Sequence, residues 1–86
     1  MNLEELRTEI DAIDEAMTKL FIQRMAVVKR VADFKKANEM PVLDRSRELA
    51  KLDFLAQKVP ADLQHYVAEF YEKLFELSRN HQKEHL

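Results

Sequence analysis

The first 37 residues carry apolar side chains at spacings that alternate between three and four. This is the a/d heptad pattern of an α-helix that packs along one seam. Nine of the ten seam positions are apolar, and the tenth is Arg24. We predict a helix over residues 3–37, about 52 Å long at about 1.5 Å per residue. The seam positions are Leu3, Leu6, Ile10, Ile13, Met17, Leu20, Arg24, Val27, Val31 and Phe34.

Two prolines divide the remaining residues into two shorter predicted helices. Pro41 ends the first helix because proline cannot continue it, and Asp44 is suited to cap the second. Pro60 ends the second helix, and Asp62 is the predicted cap of the third. These helices contain roughly 14 and 24 residues. Their predicted core positions are Leu49, Leu52, Leu55 and Val59 in the second helix, and Leu63, Val67, Phe70, Leu74, Leu77 and His81 in the third.

The size of the chain changes how this pattern is interpreted. Its 86 residues suggest a single domain over residues 1–86, and a domain this small normally needs additional support. The absence of cysteine excludes disulfides and thiolate metal sites. We therefore expect an all-α fold with one long, one short and one medium helix. The broad stripe of the long helix is most simply buried against a second copy, in an intertwined homodimer.

Charge and hydropathy exclude several classes of partner. The formal net charge of −2 gives no basic footprint for nucleic acid, and no apolar run is long enough for a membrane span. The acidic N-terminus has no signal-peptide pattern, so we expect a soluble cytoplasmic protein. His81 and His85 have the spacing of a metal pair, but no third ligand is evident. We expect no metal and no cofactor.

Arg24 is the one charge in the seam, and two interpretations are open. A single polar seam residue can fix the pairing register at a cost in stability. Alternatively, Arg24 faces a cavity that holds an anion. Lys35 lies eleven residues later on the same helical face, about 16 Å along the axis, with Val28 and Val31 between them as an apolar floor. Lys35 near a helix C-terminus is also what the helix dipole favours.

Arg7 adds a cation from the other end of the first helix. It lies four heptads before Lys35, in the same e column. If two first helices pair antiparallel about residues 19–20, Arg7 of one chain arrives near Val31 and Phe34 of the other. The two chains would then share each site. Taken alone, Arg7 is better explained as a solvated arginine beside the seam.

Polar residues on the other two helices extend the candidate site. Asp44 and Glu48 share a face of the second helix, with Arg47 one turn after Asp44. Acidic residues here also suit a capped helix start. In the third helix, Tyr71, Phe75, Ser78 and Gln82 form a stripe beside the predicted core stripe. Ser78 and Gln82 can present a hydroxyl and an amide to a cavity, or can be solvent-exposed near the C-terminus.

These residues together resemble the small all-helical chorismate mutases. The resemblance covers nearly the whole chain. It is most specific in the spacing of Arg7, Arg24 and Lys35 and in the stretch from Pro41 to Glu48, and is looser in the third helix. It implies an intertwined homodimer of three-helix chains that converts chorismate to prephenate for phenylalanine and tyrosine biosynthesis. The reaction is a pericyclic rearrangement that needs no metal, cofactor or catalytic base.

The resemblance also implies residue roles. Arg24 and the partner chain's Arg7 would bind the two substrate carboxylates, assisted by Ser78, and Lys35 and Gln82 would donate to the ether oxygen. The second helix would hold the ring hydroxyl through Asp44 and Glu48, with Arg47 ordering them. The implied catalytic residues are Lys35, Gln82 and Arg24, and the implied substrate-binding residues are Arg7, Arg24, Lys35, Asp44, Arg47, Glu48, Ser78 and Gln82.

Two other functions fit parts of the same pattern. Isochorismate pyruvate lyases resemble the mutases closely, although the pair of Asp44 and Glu48 looks more mutase-like. A non-catalytic helical dimerisation or regulatory module would explain the seam. It would not explain why the candidate residues have the spacing of the mutase family.

Overall fold

The computed structural model describes residues 1–85, and within this range the chain forms three α-helices and one short 3-10 turn. α1 spans Leu3–Ala37, α2 spans Arg45–Ala56 and α3 spans Gln64–Glu84, with the turn Ala61–Leu63 directly before α3. The predicted all-α fold, with one long, one short and one medium helix, is confirmed. The first helix has the predicted bounds.

α1 stays continuous over 35 residues because it contains neither glycine nor proline. Asn2 caps its start, where Oδ1 accepts a hydrogen bond from the Glu5 amide at 2.9 Å. At its end, the Met40 amide donates to the Lys35 carbonyl at 2.8 Å, as in a Schellman motif. Glu39 occupies the left-handed position of this motif, with φ of 54°. The chain therefore turns sharply after α1 and leads into α2.

The predicted caps of the two shorter helices have different outcomes. Asp44 caps α2 as predicted, because its Oδ1 accepts a hydrogen bond from the Arg47 amide at 3.1 Å. The prediction for Asp62 is wrong: this residue lies in the 3-10 turn, and no side chain caps α3. Gln64, at the start of α3, instead donates from Nε2 to the Ala56 carbonyl at 2.8 Å. That bond ties the end of α2 to the start of α3.

α3 is the central element of the packing. It lies against both α1 and α2, whereas α1 and α2 make no direct backbone contact within residues 1–85. The chain measures 54 × 26 × 15 Å and has a radius of gyration of 16.0 Å. A compact domain of this length has a radius of gyration of about 12 Å. The difference reflects the part of α1 that extends beyond the other two helices.

The buried face of the shorter helices differs from the prediction. On α2, Leu49 is 47% exposed although we predicted it in the core, while the charged Glu48 is only 8% exposed. On α3, Phe70 and Leu77 are exposed although they belong to the predicted core stripe. Leu74 of the predicted stripe is buried as expected, but the other buried residues belong to the neighbouring stripe, which faces the junction of the three helices. The buried residues of α3 are Leu74, Phe75, Ser78 and Gln82.

The apolar seam of α1 remains uncovered in the single chain. All nine apolar seam residues are exposed, and so is every residue from 1 to 23. Among residues 1–85, the buried apolar side chains are only Ala32, Leu74 and Phe75. This is a very small core for a folded domain. Within the same range, no helix combines the length and the hydropathy that a membrane crossing requires.

Candidate active site

A cavity of about 180 Å³ lies where the C-terminal half of α1, the start of α2 and the C-terminal half of α3 meet. Side chains from all three helices and from the loop after α1 contribute to its wall. The lining residues are Arg24, Val28, Val31, Lys35, Val42, Asp44, Arg47, Glu48, Lys51, Phe75, Ser78, Arg79 and Gln82. Val28 and Val31 are among them, as the predicted apolar floor requires.

The cavity carries a strong positive charge although the chain as a whole is acidic. Five of the lining residues are lysine or arginine and two are aspartate or glutamate, an excess of three positive charges. The whole chain has a formal net charge of −2. A partly enclosed site with this excess favours an anionic ligand, because opposite charges attract more strongly away from bulk water.

Arg24 meets the third helix at the inner end of the cavity. Its Nη1 donates a hydrogen bond to Ser78 Oγ, and the Ser78 hydroxyl donates in turn to the Leu74 carbonyl at 2.7 Å. Ser78 is buried, so this chain of bonds fixes the direction of the guanidinium. The other N–H groups of Arg24 remain suited to a carboxylate, which an arginine can bind through two parallel hydrogen bonds.

Lys35 closes the other end of the apolar floor. Its Nζ donates to the Val42 carbonyl at 2.8 Å, which holds the loop after α1 against the end of the helix. An ammonium group has three donors, so one such bond leaves two for a ligand. Lys35 is partly buried, and its position is therefore set by the fold rather than by solvent.

Glu48 is held from two sides by arginines. Its Oε1 accepts from Arg45 Nη1 at 3.0 Å, and its Oε2 accepts from Arg79 Nη1 at 2.6 Å. Arg45 also forms a two-pronged pair with Glu72 of α3, at 2.7 and 3.0 Å. We expected Arg47 to order these acidic groups. Arg47 does line the cavity, but Arg45 and Arg79 make the bonds to Glu48.

The pair of Arg45 and Glu72 shifts both pKa values away from their ordinary ranges. The hydrogen bonds that Arg45 donates to Glu72 first, and to Glu48 second, raise the pKa of Arg45. The hydrogen bond from Arg45 lowers the pKa of Glu72. Both changes favour the charged forms, so the ionic links between α2 and α3 stay intact at neutral pH.

Gln82 is an unusual member of the wall. Its side chain is only 6% exposed, and its Oε1 is buried without a hydrogen-bond partner in the described part of the chain. A buried polar group without a partner costs about 1–3 kcal/mol of stability. Gln82 therefore lines the cavity while its amide oxygen makes no hydrogen bond to the described residues.

The structure brings together seven of the eight site residues that the sequence predicts. The exception is Arg7, which is exposed near the start of α1 and lies about 26 Å along the helix from Arg24. Sequence reasoning missed Lys51 and Arg79, which also line the cavity. Helical spacing could have indicated both, because Lys51 lies three residues after Glu48 and Arg79 lies three residues before Gln82.

Comparison with known proteins agrees with this geometry. The sequence profile of chorismate mutase type II matches residues 6–83, nearly the full length of the chain. The chain belongs to the chorismate mutase type II family. The fold class and the family resemblance expected from the sequence are thereby confirmed.

A curated relative adds a second similarity. The T-protein of Haemophilus influenzae is 36% identical over 50 residues, which cover 58% of this chain and 13% of that protein. The chain thus matches only a small part of the length of this relative. No solved structure matches the chain.

Proposed function

We propose that the chain catalyses the rearrangement of chorismate to prephenate, a step toward phenylalanine and tyrosine. The observation that carries this proposal is the grouping of Arg24, Lys35, Ser78 and Gln82 with the acidic start of α2 around one cavity. Membership of the chorismate mutase type II family supports the same reaction.

The composition of the cavity suits this substrate. Chorismate has two carboxylates, an ether oxygen and a ring hydroxyl, and the excess of cationic residues is complementary to the two carboxylates. Arg24, held by Ser78, binds one carboxylate. Asp44 and Glu48 accept a hydrogen bond from the ring hydroxyl, and Arg47 contributes positive charge beside them.

The rearrangement needs little chemistry from side chains. One C–O bond breaks as one C–C bond forms, and no proton moves. The protein accelerates such a step by holding a compact conformer of the substrate and by stabilising the negative charge that develops on the ether oxygen. Lys35 and Gln82 are the proposed donors to that oxygen. The buried amide of Gln82 can act there without competition from water.

The proposed active form is an intertwined homodimer. The exposed apolar seam of α1, the very small core and the large radius of gyration all support a second chain packed along α1. Seam-to-seam packing would remove the exposed residues from water. This burial would stabilise the dimer by about 25 cal/mol per Å² of apolar surface. An antiparallel arrangement about residues 19–20 keeps the two chains equivalent.

The homodimer also gives Arg7 a role. Arg7 is too far from the cavity of its own chain to reach a ligand there. In the antiparallel pair, it would arrive beside Val31 of the partner, which lines the cavity of that chain. Arg7 would then bind the second carboxylate of chorismate. Each site would be completed by the other chain.

Separate incubations with chorismate and isochorismate test the proposed function. We expect prephenate from chorismate, with turnover unchanged by a chelator. Pyruvate from isochorismate, without prephenate from chorismate, would instead identify a lyase. Inertness toward both would leave a helical dimerisation module.

The proposed location is the cytoplasm, which fractionation of producing cells tests.

A further inference from the structure

Arg79 is a cavity residue for which the roles considered so far give no function. It comes from α3, its side chain is mostly buried, and its Nη1 donates to Glu48 Oε2 at 2.6 Å. Glu48 is itself 8% exposed and belongs to α2. The bond therefore joins two helices across the wall of the cavity. A buried carboxylate is costly unless it is paired, and Arg79 is one of its two partners.

The other partner, Arg45, holds Glu48 from the solvent side. Arg45 is fixed by its two-pronged pair with Glu72, so Glu48 lies between two arginines that approach different oxygens. This arrangement restrains rotation of the carboxylate. Each carboxylate oxygen can accept about two hydrogen bonds, so both oxygens retain acceptor capacity. Since Glu48 lines the cavity, that capacity is available to a ligand.

We propose that Arg79 is a positioning residue that orients Glu48 to accept the hydrogen bond from the substrate's ring hydroxyl. This inference rests on the proposed mutase function. Arg79 acts through the carboxylate and has no bond of its own to the reacting atoms. Its loss leaves Glu48 tethered by Arg45 alone, free to turn away from the hydroxyl. A preorganised acceptor binds better than one that must first be ordered.

Kinetics on two substrates test the inference. Arg79→Met keeps much of the side-chain length and removes the donor, and we expect it to lower kcat/KM for chorismate roughly tenfold or more. Arg79→Lys, which retains one charged donor, should recover part of the loss. A chorismate derivative with a methylated ring hydroxyl has no hydrogen to donate to Glu48. With this substrate, Arg79→Met should change kcat/KM by about twofold or less. Lys83→Met, an exposed change on the same helix, is the control.

A double variant distinguishes positioning from direct contact. If Arg79 acts through Glu48, kcat/KM of the double variant should lie less than about twofold below that of Glu48→Gln alone. Equal losses on both substrates, or independent effects in the double variant, would overturn the inference while leaving the mutase function intact. Absence of prephenate with the unmodified protein would overturn the proposed function and this inference with it.

Discussion

The two halves of α1 have similar apolar patterns but very different surroundings. Residues 24–37 meet α3 and contribute Arg24, Val28, Val31 and Lys35 to the cavity, and Ala32 is fully buried. Residues 3–23 continue the same heptads, yet every one of them is exposed. The first half therefore has the apolar pattern of a packed helix, yet its side chains stay exposed even where Met17, Leu20 and Phe21 line a groove beside α3.

This difference means that the fold buries side chains of one half of α1 and leaves those of the other half exposed. A long apolar stripe without a covering element marks an interaction site. The one predicted site residue that does not line the cavity, Arg7, also lies in the exposed half of α1. The second copy of α1 in the proposed homodimer would account for both observations.

The largest expected effect comes from a charge placed in the middle of the seam. Leu20 and Ile22 are each 62% exposed in the single chain, but only Leu20 is a seam residue. We expect Leu20→Glu to destabilise the dimer by several kcal/mol, because two carboxylates would be buried near the two-fold axis. Ile22→Glu should change stability by about 0.5 kcal/mol or less, as surface substitutions usually do.

Sedimentation and chemical unfolding at several protein concentrations measure this contrast. The unmodified chain should sediment as a dimer whose unfolding midpoint rises with concentration, since its core would lie largely between chains. A stable folded monomer at micromolar concentration, or equal effects of Leu20→Glu and Ile22→Glu, would refute the seam interpretation.

The bounds of α1 and the buried face of α3 show what the sequence could and could not predict. The bounds of α1 followed from the heptads and from Pro41, because local periodicity and helix breakers act within one segment. The buried face of α3 did not. Phe70 and Leu77 are as apolar as any core residue, yet Ser78 and Gln82 are buried in their place. Which of two neighbouring stripes is buried depends on the other helices, and a single-helix pattern does not contain that information.

The site was predictable to a different degree. The family resemblance predicted seven residues of the cavity wall, because the family motif consists of the residue types that would bind the substrate. The partners of Glu48 were not predictable, since Arg79 is 31 residues away and no local spacing relates the two. Pairing between helices is decided by tertiary packing.

The second prediction tests whether Arg7 serves the cavity of the partner. Arg7→Ala and Arg24→Ala homodimers should each lose roughly 10²-fold or more of the activity, because each site lacks one carboxylate-binding arginine. Their heterodimer has one site without either arginine and one site with both. After full subunit exchange, we expect about a quarter of the wild-type activity, since half of the dimers are heterodimers with one intact site.

Mixing Arg24→Ala with a tagged copy of itself is the matched control, and it should recover nothing. If exchange between the Arg7→Ala and Arg24→Ala chains is proven and activity stays at the level of the separate variants, Arg7 does not act across the interface. The uncovered half of α1 would then have a role in packing alone.

The third prediction concerns Gln82, the buried amide of the packed region. Gln82→Glu places a carboxylate where negative charge develops in the reaction, so turnover at neutral pH should fall by roughly 10²-fold. A protonated acid can donate again, and the activity of the variant should therefore rise toward acidic pH. Asn80→Asp makes the same chemical change at an exposed position of α3 and should leave the pH profile as it is. An unchanged profile for Gln82→Glu would remove Gln82 from the reacting oxygen.

The smallest expected effect lies on the outer side of the packed region, where Arg45 lowers the pKa of Glu72. A carboxyl group whose pKa is lowered by folding contributes stability above its unfolded pKa, about 4.3, and loses it as pH falls through the lower folded value. Glu72→Gln removes this contribution at every pH. The variant should therefore be slightly less stable than the unmodified chain at pH 7, and the difference should narrow as pH falls below the unfolded pKa and through the lowered pKa of Glu72.

Urea unfolding between pH 3 and pH 7 measures this convergence, and both residues are exposed enough that the difference should be small. Glu76→Gln is the matched control, because Glu76 lies on the same helix and pairs only with Lys73 three residues before it in the described part of the chain. It removes an exposed carboxylate whose ion pair lies within one helix, so it measures the effect of the same chemical change without loss of a link between helices. If Glu72→Gln showed the same difference at pH 7 and at pH 3, the link between α2 and α3 would not depend on ionised Glu72.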